Sequence, residues 1–129
     1  MIKIIPNLGT GRGGYRKEMT PTISIAHKGA ISINRAALDL LGIQAGSNVN
    51  FAFDDEKKIY YITPDVSMHD GYKLQAKKSN TGGSFYCREM AEKIVKDYAL
   101  YVLEGNTYRR PIESEPIDGI FYPINKPGN

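Results

Sequence analysis

Two short runs of alternating isoleucines, joined by a glycine-ended turn, restrict what this chain can become more than any other feature. Residues 22–26 send Ile23 and Ile25 one way and Thr22 and Ser24 the other. Residues 30–33 repeat the pattern with Ile31 and Ile33. A period of two in β-branched residues is the pattern of a half-buried strand. His27-Lys28-Gly29 between the runs predicts a hairpin. Asn34 then offers a side-chain oxygen as a helix N-cap. Residues 35–41 predict two helical turns with Ala37, Leu38 and Leu41 on one face. Gly42 can close that helix in the left-handed conformation, with Ile43 folding back. So short a helix is unstable alone and must be held by packing. Residues 44–47 read as a turn, Val49, Phe51 and Phe53 alternate on a third strand, 54–58 is a polar loop, and 59–62 is a fourth strand.

This order resembles the AbrB-like (SpoVT/AbrB, MazE) swapped-hairpin family across residues 22–63. The motifs that carry the likeness are Lys28-Gly29, Ile31-Ser32-Ile33, Leu41-Gly42-Ile43, Gly46, Val49-Asn50-Phe51 and Asp54-Asp55-Glu56-Lys57. The resemblance implies an interleaved homodimer and, as in many members, duplex DNA binding. Asn34 stands where the family usually has proline, and Ala30, Leu38 and Asp39 stand where DNA-binding members often place arginines. The likeness therefore bears on fold and dimerisation more than on the usual DNA surface. A second, shorter likeness lies in Lys28-Gly29-Ala30-Ile31-Ser32-Ile33-Asn34. It is similar to the basic piece of positive-coactivator-type single-stranded-DNA-binding proteins, with an insertion at Ala30.

A chain of 129 residues suits one domain or a small domain with an extension. The expected division is a basic arm (1–21), the strand-rich unit (22–64) and a C-terminal extension (65–129) packed on it. No apolar run approaches the ~20 residues that span a bilayer, and residues 1–17 lack the apolar core of a signal peptide. With one cysteine, a disulfide framework within the chain is excluded and a reducing cytoplasm is the expected setting. The net charge is only +3, but it is segregated. Lys3, Arg12, Arg16, Lys17 and Lys28 precede a net-acidic stretch over 31–71. Residues 72–110 are basic again through Lys73, Lys77, Lys78, Arg88, Lys93, Lys96, Arg109 and Arg110. Such segregation can steer a polyanion.

Residues 1–6 read as a short strand and 6–21 as a glycine-rich basic arm or long loop. Arg12-Gly13-Gly14-Tyr15-Arg16-Lys17 resembles an RGG-type contact, in which arginines meet phosphates and an aromatic stacks on bases. A solvated loop explains it equally well. Gly9-x-Gly11 lacks the Lys-Ser/Thr pair of a phosphate loop and the strand–helix junction of a dinucleotide site. Tyr72, Leu74 and Ala76 alternate with Lys73, Gln75 and Lys77, predicting a strand that a turn at 79–83 returns through 84–87. Basic residues interleaved with Tyr86 on a sheet suit single-stranded nucleic acid; edge-guarding lysines on a solvated face are the bland alternative. Residues 88–100 predict the longest helix, with Met90, Ala91, Ile94, Val95 and Tyr98 as its apolar stripe and Glu89–Lys93 and Glu92–Lys96 as ion pairs. Residues 101–105 read as a short strand, 106–119 as loop, and 120–124 as an edge strand or strap because of Pro123.

Catalytic chemistry has little to stand on. His27 and His69 fall in separate turns, and nothing local links either to Cys87. That cysteine reads as a buried structural residue, although Arg88 beside it could lower its pKa. Asp54, Asp55 and Glu56 lack metal-loop spacing, and no zinc spacing is present. The expectation is an α+β fold, mostly antiparallel sheet or barrel, with helices near 35–41 and 88–100. The expected function is nucleic-acid binding by a homodimeric AbrB-like DNA-binding transcriptional regulator, with single-stranded-DNA binding of the positive-coactivator type as the alternative, and with no cofactor, no membrane and no enzymatic activity. Expected contacts are Arg12, Arg16, Lys17, Lys28, Arg35, Lys73, Lys77, Lys78, Tyr86 and Arg88. An antitoxin-like scaffold that holds a protein partner is the reading from another class.

Overall fold

Alternation at both isoleucine runs becomes a hairpin of β1 (Thr22–Ala26) and β2 (Ala30–Asn34), paired Ile23 with Ile33 and Ile25 with Ile31. All four isoleucines are buried, while Ser24 and Ser32 lie on the other face. The computed structural model describes residues 20–26, 28–67, 70–77, 81–102 and 106–127. The strand expected at 1–6, Arg12, Arg16, Lys17, His27, His69 and Lys78 lie outside those residues, as does the end of the strand expected at 101–105.

The short helix α1 (Arg35–Leu41) is built as its sequence dictates. The Ala37 amide donates to Asn34 Oδ1 at 2.9 Å. Gly42 adopts φ 71°, its amide reaches Asp39 O, and the Ile43 amide reaches Leu38 O. These bonds satisfy terminal groups that a two-turn helix would otherwise leave open. Ala37, Leu38 and Leu41 are buried. β3 (Asn48–Asp54) and β4 (Ile59–Thr63) follow, joined by a turn in which the Glu56 and Lys57 amides donate to Asp54 Oδ1.

The alternating stretch from Tyr72 to Ala76 serves two sheets. β5 (Tyr72–Lys73) pairs with β3, whereas β6 (Gln75–Ala76) pairs with β7 (Gly82–Tyr86). Leu74 between them is fully buried, and its backbone bonds both ways to the turn at Gly46 and Ser47. With β8 (Thr107–Pro111) and β9 (Tyr122–Pro123), the crossover yields a five-strand sheet in the order β6-β7-β2-β1-β8 and a four-strand sheet in the order β5-β3-β4-β9. Both are antiparallel and open, so the fold is α+β with two sheets and no closed barrel. Closure would require the outer strands to pair, and β6, β8, β5 and β9 end each row instead.

Between the sheets and helices runs one apolar core that joins residues 22–64 to the C-terminal extension. Ile23, Ile25, Ile31 and Ile33 meet Val49 and Ile62 of the second sheet and Ala91 and Ile94 of α2 (Arg88–Asp97). Three expectations are corrected by the remaining segments. α2 stops at Asp97 rather than near residue 100, because the Tyr98 hydroxyl is fixed between the Tyr60 amide (2.8 Å) and the Ile124 carbonyl (2.5 Å). Ala99 then turns at φ 53° and sends Leu100 into the core through a 3-10 turn, Leu100–Val102, where a strand was expected. The stretch expected as loop contains β8 (Thr107–Pro111), which pairs with β1 along its length. β9 (Tyr122–Pro123) is an edge strand, as its proline requires.

Candidate nucleic-acid interface

The register of the five-strand sheet sets a single row across its outer face. Gln75 is opposite Ser84, Ser84 opposite Ser32, Ser32 opposite Ser24, and Ser24 opposite Arg109. With strands ~4.8 Å apart, the row spans roughly 19 Å. Its three serines are half-buried, and among the described residues their hydroxyls have no hydrogen-bond partner. None of the five strands contains an aspartate or glutamate. The face is therefore shallow, floored by hydroxyls and positive at its margins.

A cleft of 280 Å³ lies on this face, lined by Thr22, Ser24, Ser32, Asn34, Lys77, Thr81 and Arg109. Lys77 and Arg109 stand on its β6 and β8 sides, and both are exposed. At its rim Thr20 is fastened: its carbonyl accepts from Asn34 Nδ2 at 2.8 Å and from Thr22 Oγ1 at 2.9 Å. Thr20 is the first of the described residues, and the sequence before it carries Arg12, Arg16 and Lys17. Arg110 alternates to the inner side of β8. Burial pulls its pKa below the ordinary arginine value, and its Nε donates to the Asn125 carbonyl at 2.8 Å.

At the hairpin end of the same sheet stand Lys28, Tyr86 and Arg88. Tyr86 is paired with Ala30 and is 67 % exposed. Its ring lies against Gly29: a Cβ added there would sit 2.9 Å from Tyr86 Cζ and 2.9 Å from Arg88 Cα. Gly29 has φ 118°, and its carbonyl accepts the Cys87 amide at 3.0 Å. The tyrosine is thus propped on bare backbone. Arg88, first in α2, is turned toward Glu92, Nε to Oε2 at 3.3 Å, with both side chains exposed. This pair replaces the Glu89–Lys93 and Glu92–Lys96 pairs expected from spacing.

The other expected contacts are dispersed. Lys73 is on β5 in the second sheet. Arg35 begins α1, pairs with Asp39 at 3.4 Å and lines a different hollow beside Gly42, Gln44 and Ala76. Arg109, absent from the expected contacts, is the cation that the structure adds. Its signal was the alternation Tyr108, Arg110, Ile112 against Thr107, Arg109, Pro111, which the neighbouring prolines obscured.

Cys87 is half-buried, its Sγ 4.0 Å from the Tyr72 hydroxyl. Burial first, then the adjoining thiol, pushes the Tyr72 pKa up. Among the described residues no group of three or more His, Cys, Asp or Glu could hold a metal ion, and no helix is long and apolar enough to cross a membrane. The chain matches no protein-family model, no curated protein and no solved structure.

Proposed function

We propose that the protein binds nucleic acid on the outer face of its five-strand sheet, with single-stranded DNA as the preferred ligand. The observation that carries this reading is the unpartnered serine row between Lys77 and Arg109. Hydroxyls donate to phosphate oxygens, the two cations neutralise them, and small side chains let a backbone approach closely. Tyr86 offers an exposed ring on which a base can stack. An open sheet favours a single strand over a duplex, because splayed bases can lie along it while a groove needs a protruding helix or ribbon. The basic arm that precedes Thr20 in the sequence would add further phosphate contacts.

The duplex-binding regulator implied by the AbrB-like resemblance is the second reading. It is favoured by the β1-β2-α1-β3-β4 order, which follows that family's sequence of elements. Both long edges of the β1–β2 hairpin are already paired, with β7 and β8 of the same chain. A homodimer would therefore associate through other surfaces, and sedimentation velocity tests for it. Fluorescence anisotropy with a labelled oligo-dT and a duplex of equal length, at several salt concentrations, tests the function. Tighter, salt-sensitive binding of the single strand supports the first reading, and tighter duplex binding supports the second. No binding to either at low salt would remove nucleic acid and favour a protein partner.

A further inference from the structure

The second sheet carries a cleft of opposite character. β5 pairs with β3 only at Asn48 and Val49, so it leaves β3 beyond that point. A cleft of 420 Å³ opens there, lined by Asn50, Phe51, Ala52, Thr63, Asp65, Tyr72, Met90 and Phe121. That volume is in the range of small-molecule sites, about 300–1,000 Å³. Its apolar lining is aromatic and thioether. Phe51 and Tyr72 meet edge to face, centroids 5.9 Å apart, and Tyr72 stacks on Phe85 at 4.7 Å, which fixes both rings. Phe121 is set edge-on to Tyr61 at 6.2 Å.

Among the described residues, Asp65 is the only charged one in this lining. The turn after β4 holds it: its amide donates to Thr63 Oγ1 at 3.1 Å, and its Oδ1 accepts the Ser67 amide at 2.9 Å. Asn50, paired across the sheet with Thr63, donates its side-chain amide to the Asp65 carbonyl at 3.4 Å. These bonds to Ser67 hold the carboxyl below the usual aspartate range, so it is ionised at neutral pH. A negative charge that lines the same cleft as aromatic rings is an arrangement that attracts an organic cation, because aromatic quadrupoles present negative faces. The same charge disfavours phosphate-bearing ligands, which separates this cleft from the serine face.

We propose that the cleft between β3, β4, β5 and α2 is a binding site for a small alkylammonium compound, seated among Phe51, Tyr72, Met90 and Phe121 with Asp65 as its counter-ion. The methyl groups of such a cation are weakly hydrated and pack on rings, and its charge is met by one carboxylate. The test is a choline titration followed by amide chemical shifts in the intact protein, at constant ionic strength. The control is 3,3-dimethylbutan-1-ol, the uncharged analogue of the same shape. Choline should shift Phe51, Tyr72 and Met90 saturably and bind at least about tenfold more tightly than the neutral analogue. Asp65→Asn can still accept from Ser67 and should weaken choline about tenfold while leaving the neutral analogue unchanged. Phe121→Leu should weaken both. Equal binding of choline and its analogue, indifference to Asp65→Asn, or no shift up to about 100 mM choline would each overturn the proposal.

Discussion

Arg109 stands directly opposite Ser24 in the pairing of β8 with β1. That register places its guanidinium at one end of a row whose middle is Ser24, Ser32 and Ser84 and whose far side holds Lys77. A carboxylate in the middle should oppose any polyanion that crosses the row. Ser32→Glu is expected to lower single-strand affinity by about tenfold or more. As a solvent-facing change it should cost stability only about 1 kcal/mol. Anisotropy and urea unfolding of the same preparation measure the two effects separately.

Gly29 and Tyr86 form a second pair whose roles can be parted. Any side chain at Gly29 meets the Tyr86 ring and the Arg88 backbone, in a backbone conformation that other residues avoid. Gly29→Ala should destabilise by about 1–3 kcal/mol, read as a lower urea midpoint. Tyr86→Ala removes only the exposed ring. It should leave the midpoint close to wild type and weaken oligo-dT by about 1–3 kcal/mol, the contribution of one stacked base.

The Tyr98 hydroxyl both accepts from the Tyr60 amide and donates to the Ile124 carbonyl, tying α2 to the second sheet and the C-terminal strap. Tyr98→Phe orphans two buried backbone groups, and about 1–3 kcal/mol of stability should be lost. Burial pushes the Tyr98 pKa up to about 12, and burial with the Asp97 carboxylate 2.6 Å from the Tyr60 hydroxyl raises Tyr60 as well. A raised folded-state pKa means that the stabilising contribution is complete below the unfolded value near ~10. It is lost as pH climbs from there toward the folded values. Urea-unfolding free energies should therefore fall steeply above about pH 10, and less steeply in Tyr98→Phe.

Asn34 accepts the Ala37 amide at the start of α1 and the Thr22 amide, while its Nδ2 holds the Thr20 carbonyl. Asn34→Ala should lower stability by about 1–2 kcal/mol through the lost cap. Asn34→Asp keeps an acceptor for Ala37 and should recover part of that loss in thermal melts, without restoring the bond to Thr20.

Local chemistry made much of this fold legible. Ile23, Ile25, Ile31 and Ile33 announce their faces in the sequence, and Asn34 and Gly42 mark both ends of α1. What escaped the sequence depended on partners distant along the chain. The strand at 72–76 divides at Leu74 because Gly46 and Ser47 capture its backbone. α2 ends early because Tyr98 is held by Tyr60 and Ile124. β8 exists because β1 supplies an edge for it, and with β8 came Arg109. The candidate face suffered the same blindness: Lys73 and Lys77 look equivalent four residues apart, yet they belong to different sheets.

On the proposed face, Lys77 and Arg109 would contact phosphates at the two ends of the serine row. The most direct measurement is the slope of log affinity against log salt for oligo-dT, in wild type and in the double variant Lys77→Gln/Arg109→Gln. Each phosphate contact on a single strand contributes about 0.7 to the slope, so the double variant should be shallower by about 1.4. An unchanged slope, with affinity unchanged at every salt concentration, would contradict the assignment of this face.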